Sequence, residues 1–571
     1  MAQAILKASA IITVDGNGTR AEAVAFDVER GTVLCAGSLA DCRAAAPDAE
    51  IEDLGSSTLL PGFVDAHSHP VLGGVLTQEP AHWIAPYMGY PTWSAVEAYF
   101  DKVHAEKPTG EPQLFTGFDR PLQGAPLLTL EILDRHFPDR PVVVLDNCGH
   151  LLYFNTAVMK LNGWDKDVPE DPVAGSYGRN ADGSLVGTAY ETPAVMGAAR
   201  NVIAQVVTHP LHSAAKWFAL MGRNGVTLTS DHAFDPTSLS GYEALVSFPD
   251  CPIRVGFYEM SIDQDPAKQI TTSNPSVIWK QGIKVWADGS PLIGSAGLSF
   301  PYLDNETTRT AQIPLGPFGE KNMNYTRAEL DAMLDELAPT GWQMTFHCNG
   351  DVSFDVILDA CEAALARHDL LGTDHRWRIE HCGAARADQF DRAASLGLHC
   401  SLGPFQFIYW GDLFDGTLFD AAVGSQWQRF ADAWKAGVHV SLHNDGPVDP
   451  PLPLLNLQAV VTRTTASGAV HGVNQALTMD QAIRAHTING ARQLGHDQDL
   501  GSIEVGKRAD FVELSADPTA ADPHELTERV HVKGTWIGGH KIDLAKFEAA
   551  VEKIDPAPHR TLATLNRHRC C

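Results

Sequence analysis

The segment PGFVDAHSHP, residues 61–70, places His67 and His69 one residue apart at the end of an apolar run. Side chains on a β-strand repeat their direction every two residues, so both imidazoles would point the same way and can ligate one metal ion together. The pair is also compatible with two polar residues that merely end a strand. Whether the pair binds a metal depends on which other residues lie close to it in the folded chain.

Four further residues have the chemistry to complete such a site. His347 and His381 each end a separate apolar segment, and neutral imidazole is a favoured ligand for zinc and similar ions. Asp445 closes a last apolar segment. Lys284 shares a strand face with Trp286 and would point into a protein interior, where an ammonium group is costly to bury. A neutral lysine amine can take up carbon dioxide and become an anionic carbamate that bridges two cations; the alternative is a lysine that faces outward.

The elements that would position these residues are eight apolar, β-rich segments. Helical segments lie between several of them, as in repeated βα units around a parallel sheet. Polar residues gather at the C-terminal ends of the segments, where the loops of a barrel build an active site. We therefore predict an α/β protein with a closed (β/α)₈ TIM barrel. The eight candidate strands are GFVDAHSH, GVTLTSDHA, IRVGFYEM, GIKVWADG, QMTFHCNGD, RIEHCG, LHCSLGPF and VHVSLHNDGP.

Both ends of the chain have a different texture, with short alternating strands separated by turns. We interpret them as one small β-sandwich domain whose parts are residues 1–60 and 491–545, followed by a C-terminal tail at 546–571. The barrel would span 61–490. The connection after the first barrel strand is too long for a single crossover, so 73–224 is interpreted as an insertion over the barrel mouth.

Composition narrows the class of partner. The net charge of −28 and the pI of about 5.2 disfavour nucleic acid and anionic membranes, because either would be repelled. No apolar run is long enough to span a membrane. Ten scattered cysteines favour reduced thiols in a cytoplasmic protein over a disulfide framework. We expect a small-molecule substrate and a homo-oligomer, a dimer. The terminal Cys570 and Cys571 would lie in a mobile tail.

The order of these residues resembles the metal-dependent amidohydrolase superfamily. The local motifs resemble its amidohydrolase-3 (YtcJ-like) branch, to which N-substituted formamide deformylase belongs. The motifs that carry the resemblance cover nearly the whole chain: PGFVDAHSH, GIKVWADGS, HCNGD, RIEHC, NDGPVDP and GSIEVGKRADFVEL.

The resemblance implies a barrel of this kind and one or two divalent metal ions, with zinc the expected metal. The two histidines of the His-x-His pair and the aspartate would bind the more buried ion. The lysine, carbamylated by CO₂, would bridge, and the two remaining histidines would bind the second ion. The six implied metal ligands are His67, His69, Lys284, His347, His381 and Asp445.

Two positions depart from the family pattern. The family usually has Gly-Ser-Asp before the Pro-Val pair, where this chain has His443 and Asn444 before Asp445. His443 shares a strand face with Asp445 and would crowd or extend the site. The residues after the fifth-strand histidine are Cys348 and Asn349 in place of a small or apolar pair. The thiols of Cys348 and of Cys382, which follow His347 and His381, should point away from the site, toward the helical layer.

The predicted chemistry is hydrolysis of a C–N bond of the amide or formamide type. A cation generates hydroxide from water near neutral pH, and a second cation polarises the carbonyl and stabilises the oxyanion. Asp445 would be the catalytic residue that accepts the water's proton and returns it to the leaving nitrogen. Deamination and the hydrolysis of a lactone or carbamate remain alternatives, because the same hydroxide serves them. A non-catalytic binding barrel is a further alternative, although all six ligand positions are filled.

Three residues are candidates for substrate contact: His150, Trp286 and Phe405. The last belongs to an aromatic run, GPFQFIYWGD, after the seventh strand. If several of these rings face the cavity, the substrate has an apolar or aryl part. The alternative is that the rings pack between loops, since aromatic side chains are often buried for their area alone. Asp231 and His232, at the end of the second strand, are expected to hydrogen-bond behind the metal ligands.

Overall fold

All eight predicted barrel strands are present in the computed structural model, which describes residues 3–172 and 175–563. They form one parallel sheet in sequence order. The sheet nearly closes, and beyond the last strand the Asp445 N–H donates to the His67 carbonyl at 3.1 Å. The predicted (β/α)₈ TIM barrel is therefore confirmed. Its strands are Phe63–Ser68, Val226–Asp231, Arg254–Met260, Ile278–Trp286, Gln343–Cys348, Arg378–His381, His399–Leu402 and Val440–Leu442.

Helices follow most of the barrel strands and cover the outside of the sheet. Thr326 caps the helix Arg327–Leu337: its hydroxyl accepts from the Glu329 N–H, and the Glu329 carboxylate accepts from the Thr326 N–H. The connection between the third and fourth strands, residues 261–277, contains no α-helix. The outer helices are Pro70–Thr77, Pro210–Arg223, Leu239–Val246, Arg327–Leu337, Asp351–Arg367, Ala387–Ser395, Pro404–Phe414, Phe430–Lys435, Pro453–Thr462, Met479–Ala485 and Ile488–Gln493.

The two ends of the chain meet in a single eight-stranded sheet. Thr58–Pro61 leads into the barrel and pairs antiparallel with Phe511–Leu514, so the C-terminal part is hydrogen-bonded to the N-terminal part. Side chains alternate between two hydrophobic cores, with Leu6 in one and Ile5 in the other. The strands, in spatial order, are His540–Lys541, Val532–Ile537, Phe511–Leu514, Thr58–Pro61, Gln3–Ile12, Arg20–Asp27 and Thr32–Gly37, with Glu50–Asp53 also paired to Gln3–Ile12.

The insertion after the first barrel strand has a sheet of its own. The helices at its two ends, Pro70–Thr77 and Pro210–Arg223, pack against each other, and the strands of the separate sheet come from the residues between them in the sequence. Helices Trp93–Glu106 and Glu191–Val206 are the longest of those that accompany it. Its six strands, in spatial order, are Ser176–Arg179, Leu185–Tyr190, Leu151–Phe154, Val142–Asp146, Gln113–Phe118 and His82–Trp83.

The C-terminal segment differs from the predicted tail. The boundary placed between residues 545 and 546 falls inside a helix, Leu544–Val551, whose Phe547 is buried and which packs against the helix Pro210–Arg223. Sequence reasoning missed this helix because an amphipathic segment of only eight residues carries little periodic signal. Cys570 and Cys571 lie outside the described residues. In the described part of the chain, every helix is too short or too polar for a membrane span.

Candidate metal centre

The structure brings all six predicted metal ligands together at the C-terminal end of the barrel, and all six side chains are buried. His67 and His69 turn their Nε2 atoms toward one carboxylate oxygen, Asp445 Oδ1, at 3.3 and 3.4 Å. Lys284 points into the barrel, with Nζ 3.5 Å from His67 Nε2. The interior-facing orientation on which the prediction depended is therefore the one observed.

The remaining two histidines lie on the other side of the same cluster. The rings of His347 and His381 are 4.6 Å apart between centroids. His381 Nδ1 lies 3.9 Å from Asp445 Oδ2, so the two oxygens of this carboxylate face different histidines. Four of the six residues lie in four barrel strands, and His69 and Asp445 follow the first and the last strand, so all six converge on a common volume.

Unusual backbone conformations occur at two of these ligands. His381, its neighbour Cys382, and Asp445 have φ values of +68°, +55° and +55°. Such left-handed conformations are uncommon for residues other than glycine and cluster at functional sites. In the sixth strand the residue before His381, Glu380, also reaches the interior, where it contacts His67. The positive φ therefore lets two consecutive side chains serve the same site.

Each ligand ring has an outer partner on its Nδ1 side. His67 Nδ1 lies 2.8 Å from Glu380 Oε2, and His347 Nδ1 lies 3.1 Å from Asp288 Oδ1. His69 Nδ1 faces Asp231 Oδ1 at 3.6 Å. Carboxylates in these positions fix the ring and its tautomer and leave Nε2 for a cation. The expectation that Asp231 stands behind a ligand agrees with this geometry.

Sequence reasoning missed the role of Glu380. The signal was present, because a glutamate adjacent to the sixth-strand histidine is unusual in a strand that is buried throughout. His232 was expected to hydrogen-bond behind the ligands; instead its ring stacks on that of His67 at 3.9 Å, and neither ring nitrogen has a hydrogen-bond partner among the described residues.

Electrostatics give the site the protonation states that metal ligands need. Burial alone would raise the pKa of Asp445, but the neighbouring rings of His67, His69 and His381 together outweigh it and hold that pKa well below its usual range. Burial likewise opposes ionisation of Glu380, and the Arg378 guanidinium together with the nearby histidines outweighs it, so this pKa is also far below normal. Burial lowers the pKa of His347 to about 4. At neutral pH the site therefore holds ionised carboxylates and neutral imidazoles.

The residues present fit a divalent cation. The ligand atoms of His67, His69 and Asp445 lie within 4.8 Å of one another. Asp445 Oδ1 is buried and, within the described ranges, receives no hydrogen bond of good geometry, which leaves an anionic oxygen facing two imidazole nitrogens. A set of two nitrogen donors and one carboxylate oxygen is typical of zinc and related ions.

A cavity opens onto the ligands His347, His381 and Asp445. Two of the three predicted substrate contacts, His150 and Phe405, line it. The third, Trp286, stacks on His347 at 4.8 Å and lines a neighbouring pocket instead. The remaining lining residues are Cys148, Ser290, Pro291, Leu292, Asn349, Gln406, Trp410, Phe414 and Val448.

The aromatic run after the seventh strand divides between cavity and core. It forms the helix Pro404–Phe414, which turns Phe405 and Trp410 toward the cavity. Phe407 packs on the guanidinium of Arg463, 3.8 Å from the ring centroid. Part of the aromatic run therefore faces the cavity and part of it packs in the core, as the two alternative interpretations of the sequence proposed. The reason is that a helix presents consecutive residues to different surroundings.

His150 comes from the insertion and approaches the metal ligands from above the barrel. Its ring is 5.4 Å from that of His347. Its Nδ1 lies 2.8 Å from Glu191 Oε2. Burial alone would lower the pKa of His150, but this carboxylate outweighs burial and raises it. A cationic or hydrogen-bond-donating group therefore faces the cavity from the side opposite the barrel floor.

The cysteines next to the ligands pack in the core. The Cys348 thiol donates to the Gly350 carbonyl and the Cys382 thiol to that of Ile379, and both side chains are buried among hydrophobic residues. This geometry is the packing role predicted for them. Cys148, which sequence reasoning did not single out, lines the cavity beside His150.

Comparison with known proteins gives the class. A family model described as Amidohydrolase family (Amidohydro_3) matches residues 50–542. N-substituted formamide deformylase of Arthrobacter pascens is 26% identical over 545 residues, which cover 92% of this chain and 96% of the relative. Putative amidohydrolase YtcJ of Bacillus subtilis (strain 168) is 25% identical over 559 residues, covering 94% of this chain and 98% of the relative.

A solved structure shows the same fold. An uncharacterized metal-dependent hydrolase from Pyrococcus horikoshii OT3 superimposes with a TM-score of 0.68 at 21% identity, covering 91% of this chain and 99% of that one. The chain belongs to the amidohydrolase family, as its motifs predicted. It is therefore an enzyme, a hydrolase that acts on carbon–nitrogen bonds other than peptide bonds.

Proposed function

We propose that this amidohydrolase uses one or two divalent cations to cleave the C–N bond of a small amide or formamide-type substrate that has an apolar part. The observation that carries the proposal is the convergence of neutral imidazoles and an ionised, unsatisfied carboxylate at the floor of one cavity. The apolar part of the substrate is supported by Phe405 and Trp410 in the cavity wall. The formamide type is supported by the name of one relative.

The six converging residues would hold the metal. His67, His69 and Asp445 would bind one ion, and His347 and His381 a second. Lys284, as its carbamate, would link the two, and zinc is the ion we propose. A bound cation supplies Lewis acidity, which activates water and polarises the scissile carbonyl.

The protein's own groups would orient the substrate and move the proton. Asp445 is held ionised and lines the cavity, so its carboxylate can accept a proton from the attacking water and return it to the leaving nitrogen. His150, held by Glu191, would donate a hydrogen bond to the substrate. Phe405 would cover the apolar part and exclude bulk water.

We also propose that the enzyme works in the cytoplasm. The cysteines within the described residues are all free thiols, as expected of a reducing compartment. Assembly into a dimer stays a prediction.

Metal analysis combined with a substrate panel tests the proposed function. We expect the purified protein to contain one to two equivalents of zinc or a similar ion, and a chelator to abolish turnover that added zinc restores. The panel is N-acyl amines, N-substituted formamides, cyclic imides and lactones, with turnover expected for the first two classes. A clean, active and metal-free preparation would refute the proposal.

A further inference from the structure

His443 lies at one of the two departures from the family pattern, in contact with a predicted metal ligand. It is fully buried, and its Nε2 lies 3.1 Å from His381 Nδ1. His67 and His347 have carboxylates in the equivalent position on their Nδ1 atoms. His381 differs, because its Nδ1 partner is another imidazole.

A chain of hydrogen bonds continues from His443 to the opposite end of the barrel. His443 Nδ1 lies 2.9 Å from Ser401 Oγ, and Ser401 Oγ lies 2.9 Å from Ser441 Oγ. Ser441 Oγ in turn lies 2.7 Å from Gln493 Oε1. All four side chains are fully buried, so water does not compete for these contacts.

The amide of Gln493 fixes the direction of the chain. Its Nε2 donates to the carbonyl oxygens of Cys400 and His439 at 2.9 and 2.7 Å, so its Oε1 must be the atom that faces Ser441. A carbonyl oxygen only accepts, and Ser441 therefore donates to it. Ser441 has one hydroxyl hydrogen, and this bond uses it.

Hydrogen counting then determines each remaining contact. Ser401 must donate to Ser441, since otherwise two lone pairs would face each other at 2.9 Å. Having spent its hydrogen, Ser401 can only accept from His443 Nδ1. The hydrogen-bond partners of His443 are a hydroxyl and an imidazole, and full burial favours the neutral ring, whose Nε2 then carries a lone pair. That lone pair faces His381 Nδ1, which must donate to it.

We propose that His443 is a positioning residue that holds His381 with its Nδ1 protonated and its Nε2 free for the metal. The inference rests on the proposed function, because it concerns how the chain presents a ligand to the cation. The chain of Ser401, Ser441 and Gln493 does for His381 what a carboxylate does for His67. It does so without adding negative charge, so His381 should be a weaker donor than a carboxylate-backed ring.

Metal affinity of four variants tests the proposal. We would titrate metal-free protein with Co²⁺ and follow visible absorption and competition with a chelator, so that the readout does not depend on turnover. His443→Leu removes the acceptor. If two Co²⁺ ions bind, we expect the affinity for the more weakly bound ion to fall about 10- to 100-fold. If only one ion binds, its affinity should fall by the same factor. His443→Gln retains an acceptor at the same reach and should stay within a few-fold of wild type.

Ser401→Ala is the sharper variant, because Ser401 does not touch His381. Loss of its oxygen frees His443 to adopt the other tautomer, so the Co²⁺ affinity should fall, by less than in His443→Leu. The matched control is His399→Gln, another buried histidine, which lies two residues before Ser401 and has its ring against His439. Its Co²⁺ affinity should be unchanged. Thermal melts of each metal-free variant establish that it is folded.

Two results would overturn the proposal. One is unchanged Co²⁺ affinity in folded His443→Leu and Ser401→Ala. The other is X-ray absorption that shows one imidazole fewer around the metal in His443→Leu at saturation, because His443 would then be a ligand itself. In either case the proposed function stands if the wild-type protein binds metal and hydrolyses a substrate. If the wild-type protein does neither, the proposed function itself is refuted, independently of the role of His443.

Discussion

Lys284 and Asp445 are the two residues on which the proposed chemistry depends most. Lys284 Nζ is buried 3.5 Å from His67 Nε2, where its proposed carbamate would link the two ions. Asp445 presents one oxygen to two imidazoles and lines the cavity. Each residue supports a separate prediction.

Replacing Lys284 by alanine should remove the anionic bridge. We expect the metal content of Lys284→Ala to fall and its turnover to drop by more than the roughly 10- to 100-fold that loss of an outer partner costs. Short carboxylic acids should restore part of both by occupying the vacated volume. Metal analysis and rates with and without propionate measure this.

The control is a buried lysine on the same strand. Lys280 pairs with Glu259 at 2.5 Å, at the end of the strand away from the ligands. Lys280→Met should melt at a lower temperature yet keep its metal. Wild-type rates in Lys284→Ala would show that no bridge is needed.

Asp445→Asn should separate metal binding from proton transfer. The amide retains an oxygen donor but cannot accept the water's proton at neutral pH. We expect most of the metal to remain and kcat to fall by about 10²-fold or more. Metal content and kcat are measured on the same preparation; an unchanged kcat would assign the proton transfer to another group.

At the scale of elements, the helix Pro404–Phe414 has two distinct faces. One turns Phe405 to the cavity, and the other packs Phe407 over Arg463. Both phenylalanines are almost fully buried, so exposure does not distinguish them. The surroundings of the two rings do distinguish them. Replacement by alanine should therefore affect substrate binding at Phe405 and protein stability at Phe407.

Phe405→Ala should raise KM for substrates with an aryl group by about 10-fold, since burying an apolar ring against substrate is worth roughly 1–3 kcal/mol. Phe407→Ala should leave KM within about two-fold of the wild-type value but lower the free energy of unfolding by about 3–5 kcal/mol. Steady-state kinetics and urea unfolding of both variants check this. An equal rise of KM in both would mean that the helix, not the ring, shapes the pocket.

At the scale of the whole molecule, the interior holds several neutral histidines. His486 lies outside the metal centre, with Nδ1 donating to the Val64 carbonyl at 2.8 Å and Nε2 accepting from Asn456 at 2.9 Å. Burial lowers the pKa of His486 to about 4, below the value of about 6.5 in an unfolded chain. Below pH 6.5 the unfolded state therefore binds a proton that the folded state does not.

Stability should accordingly be complete above pH 6.5 and decline as the pH falls toward 4. For His486 alone we expect the free energy of unfolding to decrease by about 2 kcal/mol between pH 7 and pH 5. Urea unfolding of chelated protein at both pH values measures the effect. His486→Gln should be less stable at pH 7 but lose about 2 kcal/mol less over this interval; an identical pH dependence would contradict the assignment.

Much of the fold and of the candidate site could be predicted from the sequence, because the relevant signals are local. The apolar runs of the eight strands survive in the sequence since the strands of a parallel barrel are buried on both faces. Alternation along a strand predicted a shared direction for His67 and His69, and both turn toward Asp445 although His69 lies just after the strand. The candidate metal ligands could be predicted because imidazole and carboxylate are common metal-binding groups. For Lys284 the sequence left an outward-facing orientation open, and its burial in the structure excludes that orientation.

The sequence by itself determined which residues can ligate a metal and which strands carry them, since these depend on residue type and on spacing along one segment. Only the tertiary structure decided what stands behind each ligand, because those partners are distant in sequence: Glu380 meets His67 across 313 positions. It also decided that His381 turns inward through a positive φ and that His443 leads to Gln493. Contacts between separate strands depend on closure of the barrel, which no local pattern encodes.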